Sequence, residues 1–236
     1  MSDDAAVRLW LGWRAGHIAS SESGWKSFKK SLAETFIPAT WEIMSGFGLR
    51  TYVPSVFSPT GADGLPEEVA LLCYSTEQAY EASKASVVGR AYAVMHRALF
   101  EFDAAVRKSK AAWAGSQDPD KPTLRAAAGG GKRFEDAGAV LHVLLLACRE
   151  HAPSVQAIAG ALAGQTGSLA IWCQPRFALV WIAAAEPLDQ TVVCAPVLAS
   201  LPGASVAAFH QAVAAPAIDQ LRGVPAVDRQ SWHFHG

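Results

Sequence analysis

The sequence predicts an α+β fold in which the two halves of the chain carry the same order of strands and helices. Three observations predict it. Each half follows the order strand, helix, strand, strand, helix. Histidines recur at matching places, with His96 and His210 each inside an apolar, helix-like pattern late in its half. Hydrophobic residues make up 51% of the chain and charged residues only 17%, a balance that supports a packed core and excludes general disorder.

The first half begins with a strand and ends in a long helical stretch. Residues 7–14 alternate between apolar and polar side chains, which is the period of a strand with one buried face. Apolar residues at three- and four-residue steps predict an amphipathic helix over 25–36. The remaining elements of this half are, in order, a strand at 49–57, a strand at 68–74 and a helical stretch over 75–102.

A charged, glycine-rich segment separates the two halves. Residues 107–133 hold seven basic residues against two acidic ones and include three consecutive glycines at 129–131. This composition is typical of a solvated linker, and the alternative is a strip that contacts phosphate groups. We therefore expect one unit at 1–106, a linker at 107–133 and a second unit at 134–236.

The second half repeats the order of the first. A continuous apolar run at 139–148 predicts a strand that is buried on both faces. The dipeptide at 175–176 predicts a tight connection between two further strands, and 186–202 fits either a loop or a short helix. The remaining elements are, in order, a helix at 153–163, strands at 168–174 and 177–185, a partly helical stretch at 205–221 and a closing strand at 232–235.

The resulting β-α-β-β-α-β order is that of the ferredoxin-like split unit. Two such units on one chain resemble the dimeric α/β-barrel superfamily, in which two sheets face each other around a barrel-like core. The resemblance rests on the order of the elements and covers most of the chain. It implies two ferredoxin-like units in tandem, with their sheets packed as an α/β barrel. The superfamily contains small monooxygenases, isomerases, haem-handling proteins such as chlorite dismutases, and proteins without known activity.

Two histidines are candidates for chemistry. His96 and His210 each lie among apolar neighbours on the predicted second helix of their half. A neutral imidazole there can transfer protons near neutral pH or ligate haem iron. His96 is followed by Arg97, whereas His210 has no charged neighbour, so we expect His210 to be the haem ligand and His96 to be catalytic. The alternative for both is a partly buried histidine whose ring nitrogens are hydrogen-bonded within the fold.

All four tyrosines lie in the first half. This unequal distribution predicts that one unit holds a pocket with polar walls while the other has a structural core. Tyr74 and Arg90, on the predicted third strand and second helix, complete the expected catalytic set with His96. Ordinary amphipathic positions at the surface or at an interface are the alternative. The tyrosines are Tyr52, Tyr74, Tyr80 and Tyr92.

No familiar catalytic or metal motif is present. The sequence lacks a P-loop, a dinucleotide-binding glycine motif, a nucleophile elbow and an HExxH helix. His233 and His235 have the spacing to chelate zinc or copper, but they would need further ligands, so we expect no metal site.

Charge and cysteine usage restrict the partners and the compartment. A formal net charge of −1 disfavours binding to nucleic acid or to an anionic membrane. The apolar runs are too short to span a bilayer. The four cysteines are scattered without a CxxC pair, and the first residues do not resemble a signal peptide, so we expect a reducing cytoplasm.

Three functions remain open from the sequence. The first is a small-molecule binder in an α/β barrel, as a cofactor-independent monooxygenase or isomerase with a dry pocket and one base. The second is a non-catalytic factor with a protein partner, such as an adaptor, immunity or assembly protein. The third is a haem protein that uses a helical histidine. A homo-oligomer is compatible with all three.

Overall fold

The chain forms two compact units, each an antiparallel sheet with helices. The first unit is built mainly from residues 5–57 and 66–111, and the second mainly from 112–212. The α+β fold class is therefore confirmed. These features come from a computed structural model, which describes residues 5–18, 21–57, 64–103, 108–115 and 120–214.

The first unit contains a four-stranded sheet and four α-helices. Its strands are β1 (Ala6–Gly12), β2 (Leu49–Val56), β3 (Glu68–Tyr74) and β4 (Lys110–Trp113). Its helices are α1 (Glu22–Ser31), α2 (Ile37–Met44), α3 (Glu77–Ala85) and α4 (Val87–Leu99). A π-helical turn at Leu32–Phe36 joins α1 to α2, and a 3₁₀ turn at Ser45–Phe47 follows α2. The sheet order is β2-β3-β1-β4, with β3 antiparallel to both β1 and β2.

The two faces of this sheet differ in character because side chains alternate along each strand. Arg8 and Trp10 of β1 lie opposite Leu72 and Ala70 of β3, and these four residues line a cavity on the helix side. Leu9, between them on β1, belongs to the other face and is fully buried. The period-two pattern of β1 therefore places its polar and bulky positions toward the cavity.

The start of α4 is set by local chemistry at the break after α3. Ser86 has an extended backbone, and its hydroxyl accepts a hydrogen bond from the Gly89 backbone N–H at 2.8 Å. A Cβ on Gly89 would lie 2.0 Å from the carbonyl oxygen of Ser83, so only glycine permits this approach. Together, cap and glycine determine where α4 begins and which of its faces meets the cavity.

The second unit contains a five-stranded sheet with two helices. Its strands are β5 (Thr123–Arg125), β6 (Val140–Cys148), β7 (Leu169–Gln174), β8 (Phe177–Ala184) and β9 (Ala204–Ala212), and its helices are α5 (Val155–Ala161) and α6 (Gln190–Ser200). The sheet order is β5-β7-β8-β6-β9. The order β7-β8-β6-β9 corresponds to β2-β3-β1-β4 of the first sheet, and β5 is an additional edge strand beside β7. Aliphatic side chains from β6, β7 and β8 and from both helices form a buried cluster.

The segment predicted to be a linker, residues 107–133, contains β4 and β5. The first sheet thus ends with a strand that the sequence pattern does not reveal. β4 and β5 have only four and three residues, too short to show a period, and their pairing beside β1 and β7 stabilises them.

His210 lies on a strand and not on the predicted helix. It belongs to β9, where it lies opposite Val143 of β6. The surrounding run is rich in alanine, which favours a helix locally, but the hydrogen-bonded ladder with β6 outweighs that preference. The predicted haem ligand therefore loses the helical setting on which it rested.

Both sheets are open, and the described residues form no closed barrel. β2 and β4 are the edge strands of the first sheet, and β5 and β9 are those of the second. The ambiguous stretch 186–202 contains α6. The predicted strand at 232–235, with His233 and His235, lies outside the described residues. None of the described helices has the length and apolar character needed to cross a membrane.

Candidate functional site

The first unit contains a cavity of about 680 Å³ between the helix-side face of its sheet and the helices. This volume lies within the range of pockets that bind small organic molecules. All four tyrosines line it, as do Arg90 and His96. The structure therefore places the four tyrosines, Arg90 and His96 around one cavity, while their catalytic roles stay predictions.

The helical periodicity of α4 brings its cavity residues to one side. Gly89, Tyr92, Ala93 and His96 recur at three- and four-residue steps and all line the cavity. Across from them, the sheet contributes its alternate residues. The site is thus built from one helix face and one sheet face, both regular elements that hold side chains in fixed directions.

His96 lies in an aromatic surrounding with one ring nitrogen engaged. Its Nδ1 is 3.1 Å from the carbonyl oxygen of Tyr92, which makes Nδ1 the protonated nitrogen and leaves Nε2 as the acceptor. The ring meets those of Phe36, Tyr92 and Trp10 edge to face, at centroid distances of 4.7, 4.5 and 5.3 Å. Burial among these rings lowers the pKa of His96 from 6.5 to about 4.

The consequence is a neutral imidazole at physiological pH. No other hydrogen bond to His96 occurs among the described residues, so Nε2 keeps its lone pair. His96 also borders the cavity. The ring can therefore accept a proton or a hydrogen bond from a ligand.

Thr40 holds the hydroxyl group of Tyr92 in place. Its hydroxyl donates to the carbonyl oxygen of Phe36 at 2.8 Å and lies 2.8 Å from the hydroxyl of Tyr92. Since Thr40 has one hydroxyl proton, already donated to Phe36, Tyr92 must be the donor in the second bond. The π-helical turn that ends at Phe36 leads directly into the helix that carries Thr40.

Three of the cavity tyrosines, Tyr52, Tyr74 and Tyr92, are protonated phenols. Burial raises the pKa of Tyr52, Tyr74 and Tyr92 well above 10, with the negative charge of nearby Glu68 adding to the effect on Tyr52. Tyr74 packs edge to face against Tyr80, with ring centroids 5.2 Å apart. These groups offer neutral hydroxyl dipoles to a ligand and no phenolate nucleophile.

Arg90 lies at the solvent-exposed side of the cavity. One of its terminal nitrogens donates to the carbonyl oxygen of Ala85 at 2.7 Å, which ties the guanidinium to the C-terminal end of α3. Tyr74, on β3, is buried, so the two residues lie at different depths of the same cavity. The structure brings together the three predicted catalytic residues around one space, with His96 between aromatic walls.

The sequence reading missed Glu68, a fully buried carboxyl group beside the cavity wall. One of its oxygens accepts a hydrogen bond from the indole Nε1–H of Trp10, and the other has no partner among the described residues. Burial raises its pKa from 4.5 to about 8, and the bond from Trp10 opposes this shift. A signal was present: Glu68, Ala70, Leu72 and Tyr74 alternate on the helix-side face of one apolar strand.

Arg8 is the second residue that the sequence reading missed. It lies on the helix-side face of β1, and its guanidinium carbon is 4.0 Å from the centre of the Tyr80 ring. This distance is typical of a cation–π contact. An arginine at a polar position of an alternating strand carries no signal of its own, because most such positions face solvent.

His210 does not join this site. It belongs to the second unit and does not line the cavity. Haem ligation by His210 stays a prediction. Within the described ranges, no group of three or more histidine, cysteine, aspartate or glutamate residues is arranged to hold a metal ion.

Comparison with known proteins yields distant structural likenesses only. No family model and no curated protein sequence matches the chain. One solved structure, of an anthrone oxidase-like protein, has a TM-score of 0.47 at 9% identity, covering 90% of this chain and 92% of that one. A "putative monooxygenase" from Fusobacterium nucleatum has a TM-score of 0.45 at 7% identity, with coverages of 89% and 96%. Another from Lactobacillus acidophilus has a TM-score of 0.40 at 8% identity, with coverages of 89% and 94%. At these values, the likenesses assign neither a family nor an activity.

Proposed function

We propose that the cavity of the first unit binds a small organic molecule and that His96 removes a proton from it. This step begins both cofactor-independent oxygenation and isomerisation. The observation that carries the proposal is a neutral, cavity-facing imidazole with Nδ1 bonded to Tyr92 and Nε2 left as acceptor. A neutral base beside a bound ketone needs little else to form a carbanion next to the carbonyl group.

The aromatic walls favour a planar ligand. Trp10, Phe36 and the tyrosines supply faces and edges against which a ring can pack, and the tyrosine hydroxyls supply dipoles for its oxygen atoms. Tyr74 is the proposed donor to a ligand oxygen, because its phenol stays protonated. Arg90, at the exposed side, is proposed to position the ligand as it enters.

The proton and electron balance is simple in both reactions. His96 takes the proton on Nε2 and becomes an imidazolium, and the electron pair of the broken C–H bond stays on the ligand. In isomerisation, the same proton returns to another carbon. In oxygenation, the carbanion reacts with O₂, and a methylene group becomes a carbonyl as the second oxygen atom leaves in water. The negative charge that develops on the ligand would stabilise the imidazolium and raise the pKa of His96 in the complex.

Proton abstraction can be measured directly by hydrogen–deuterium exchange. We would incubate the protein in D₂O with 2-indanone, 2-tetralone and anthrone, and follow loss of the acidic C–H signals by NMR. The wild-type protein is expected to accelerate exchange of at least one ketone. His96→Gln should lose about 10²- to 10⁴-fold of that acceleration. His151→Gln, at an exposed site in the second unit, is the matched control and should keep it.

Oxygen consumption then separates the two reaction types. Uptake of O₂ together with exchange indicates oxygenation, and exchange without uptake indicates isomerisation. If the wild-type protein exchanges no ketone faster than buffer does, or if His96→Gln exchanges as fast as the wild type, the role of His96 is wrong.

A protein-partner function has one observation in its favour. Val87 and Val94, seven residues apart on α4, are 74% and 65% exposed. Exposed aliphatic residues on one helix face are typical of interaction surfaces. Replacing both with lysine should lower the native mass if this face holds a partner or a second copy, and should leave ketone exchange unchanged if it does not.

A further inference from the structure

The charge of the cavity lining is one-sided. Among the described residues that line it, six are basic and none is acidic. Glu68, which accepts a hydrogen bond from Trp10, does not line the cavity. His96 adds no charge, because its imidazole is neutral. The basic residues are Arg8, Lys84, Arg90, Arg97, Lys108 and Lys110.

Two of these cations gather around one tyrosine. The guanidinium carbon of Arg8 and the Nζ of Lys84 lie 4.0 and 5.4 Å from the centre of the Tyr80 ring. Lys84 also forms an ion pair with Glu81 at 2.7 Å, which offsets part of its charge, and Arg8 has other interactions besides its contact with the ring. Both cations would attract an anion that enters the adjacent cavity.

The field of Arg8 reaches the proposed base. Its positive charge adds to the lowering of the pKa of His96 and opposes the rise that burial causes in the pKa of Tyr74. An anion that pairs with Arg8 would therefore lie within electrostatic range of His96, which lines the same cavity.

We propose that the ligand of this cavity is an aromatic carboxylate, with its carboxylate group paired with Arg8 and Lys84 beside Tyr80 and its ring packed against Trp10 and Phe36. The proposal rests on the proposed function, in that the cavity must be the binding site. A planar guanidinium matches the two oxygens of a carboxylate, which favours this anion over a spherical one. The aromatic walls select the rest of the molecule.

Matched pairs of probes test the charge without changing the shape. The pairs are benzoate and benzamide, 2-naphthoate and 2-naphthamide, and anthracene-9-carboxylate and its amide. Binding to the whole protein is measured by isothermal titration calorimetry at neutral pH. We expect the acid of at least one pair to bind about tenfold more tightly than its amide. Added salt should weaken the binding of the acid and leave the binding of the amide unchanged.

Variants of Arg8 locate the effect. Arg8→Met keeps an unbranched apolar stem and removes the charged guanidinium, so it should abolish the preference for the acid and leave the affinity for the amide within about twofold. Unchanged amide binding also shows that the cavity is intact. Arg8→Lys should retain part of the preference. Arg50→Met, at an exposed position on β2 outside the cavity lining, is the control and should retain all of it.

The outcomes separate this proposal from the proposed function. Amides that bind as tightly as the acids would overturn the carboxylate assignment and leave the cavity as a ligand site. A preference for acids that persists in Arg8→Met would overturn the role of Arg8. Failure of both members of every pair to bind would count against the cavity as a ligand site, and this inference would fall with it.

Discussion

The buried carboxyl group of Glu68 makes the stability of the protein depend on pH in a direction that can be worked out. Its pKa in the folded protein is about 8, against an ordinary value of 4.5, because burial penalises the charged form. Between these two pH values, the folded state keeps the proton while the unfolded state has lost it. The stability that protonated Glu68 contributes to the folded protein is therefore fully present below pH 4.5 and is lost as the pH rises through about 8.

The magnitude follows from the same two values. Each pH unit in this window lowers the free energy of unfolding by about 1.36 kcal/mol, because Glu68 ionises in the unfolded state only. The loss is at most about 5 kcal/mol by pH 8 and about 3 kcal/mol at pH 7. Glu68→Gln removes the titration. A glutamine amide keeps a carbonyl oxygen to accept the hydrogen bond from Trp10 and otherwise resembles the protonated acid. The variant should match the wild type in acid and exceed it at neutral and alkaline pH.

Urea unfolding at about pH 5, 7 and 8.5, followed by tryptophan fluorescence, measures this difference. The variant is expected to gain less than about 1 kcal/mol at pH 5 and about 3 kcal/mol at pH 7. Glu42→Gln, at an exposed position of the same unit, is the control for the loss of one carboxyl group. Parallel stability curves for wild type and Glu68→Gln between pH 5 and 8.5 would refute the reasoning, because Glu68 would then titrate alike in both states.

Three other outcomes are expected. Thr40→Val removes the acceptor of the Tyr92 hydroxyl and should lower the free energy of unfolding by about 1 to 3 kcal/mol, measured in urea. Gly167→Ala places a Cβ 1.7 Å from a backbone carbonyl oxygen of β8 and should destabilise the second unit by at least about 1 to 3 kcal/mol. Gly160→Ala, at an exposed position of α5 with open space around the added Cβ, is the matched control and should stabilise by about 0.5 to 1 kcal/mol. When the rate of ketone exchange by the free protein is plotted against pH, its acid limb should have a midpoint near pH 4, because His96 stays unprotonated above its lowered pKa.

Each of these expectations has a contrary result. Equal stability of Thr40→Val and the wild type would mean that water or another group accepts the hydrogen bond of the Tyr92 hydroxyl in the variant. Equal effects of the two glycine substitutions would show that the close backbone approach at Gly167 is not a constraint. An acid limb near the ordinary histidine value of 6.5 would show that the imidazole is solvated and not shielded by the aromatic rings.

The local sequence pattern was sufficient to predict a strand or a helix wherever the hydrophobic period of the segment matched its environment in the fold. The alternation of β1 and the helical spacing around His96 predicted a strand and a helix that the structure contains. The concentration of tyrosines in the first half predicted a lined pocket in that unit, and they all line one. These features are readable because burial on one face imposes a period on the chain.

The rest was decided by contacts between segments far apart in sequence. β4 is too short to show a period, and the helical preference around His210 yields to the ladder with β6. The burial of Glu68 and the placement of Arg8 over Tyr80 depend on which strands and helices enclose them. Composition and periodicity determined the fold class and the residues available for chemistry. Only the tertiary structure decided which of them are shielded from water, and desolvation is what shifts their pKa values and makes them candidates for function.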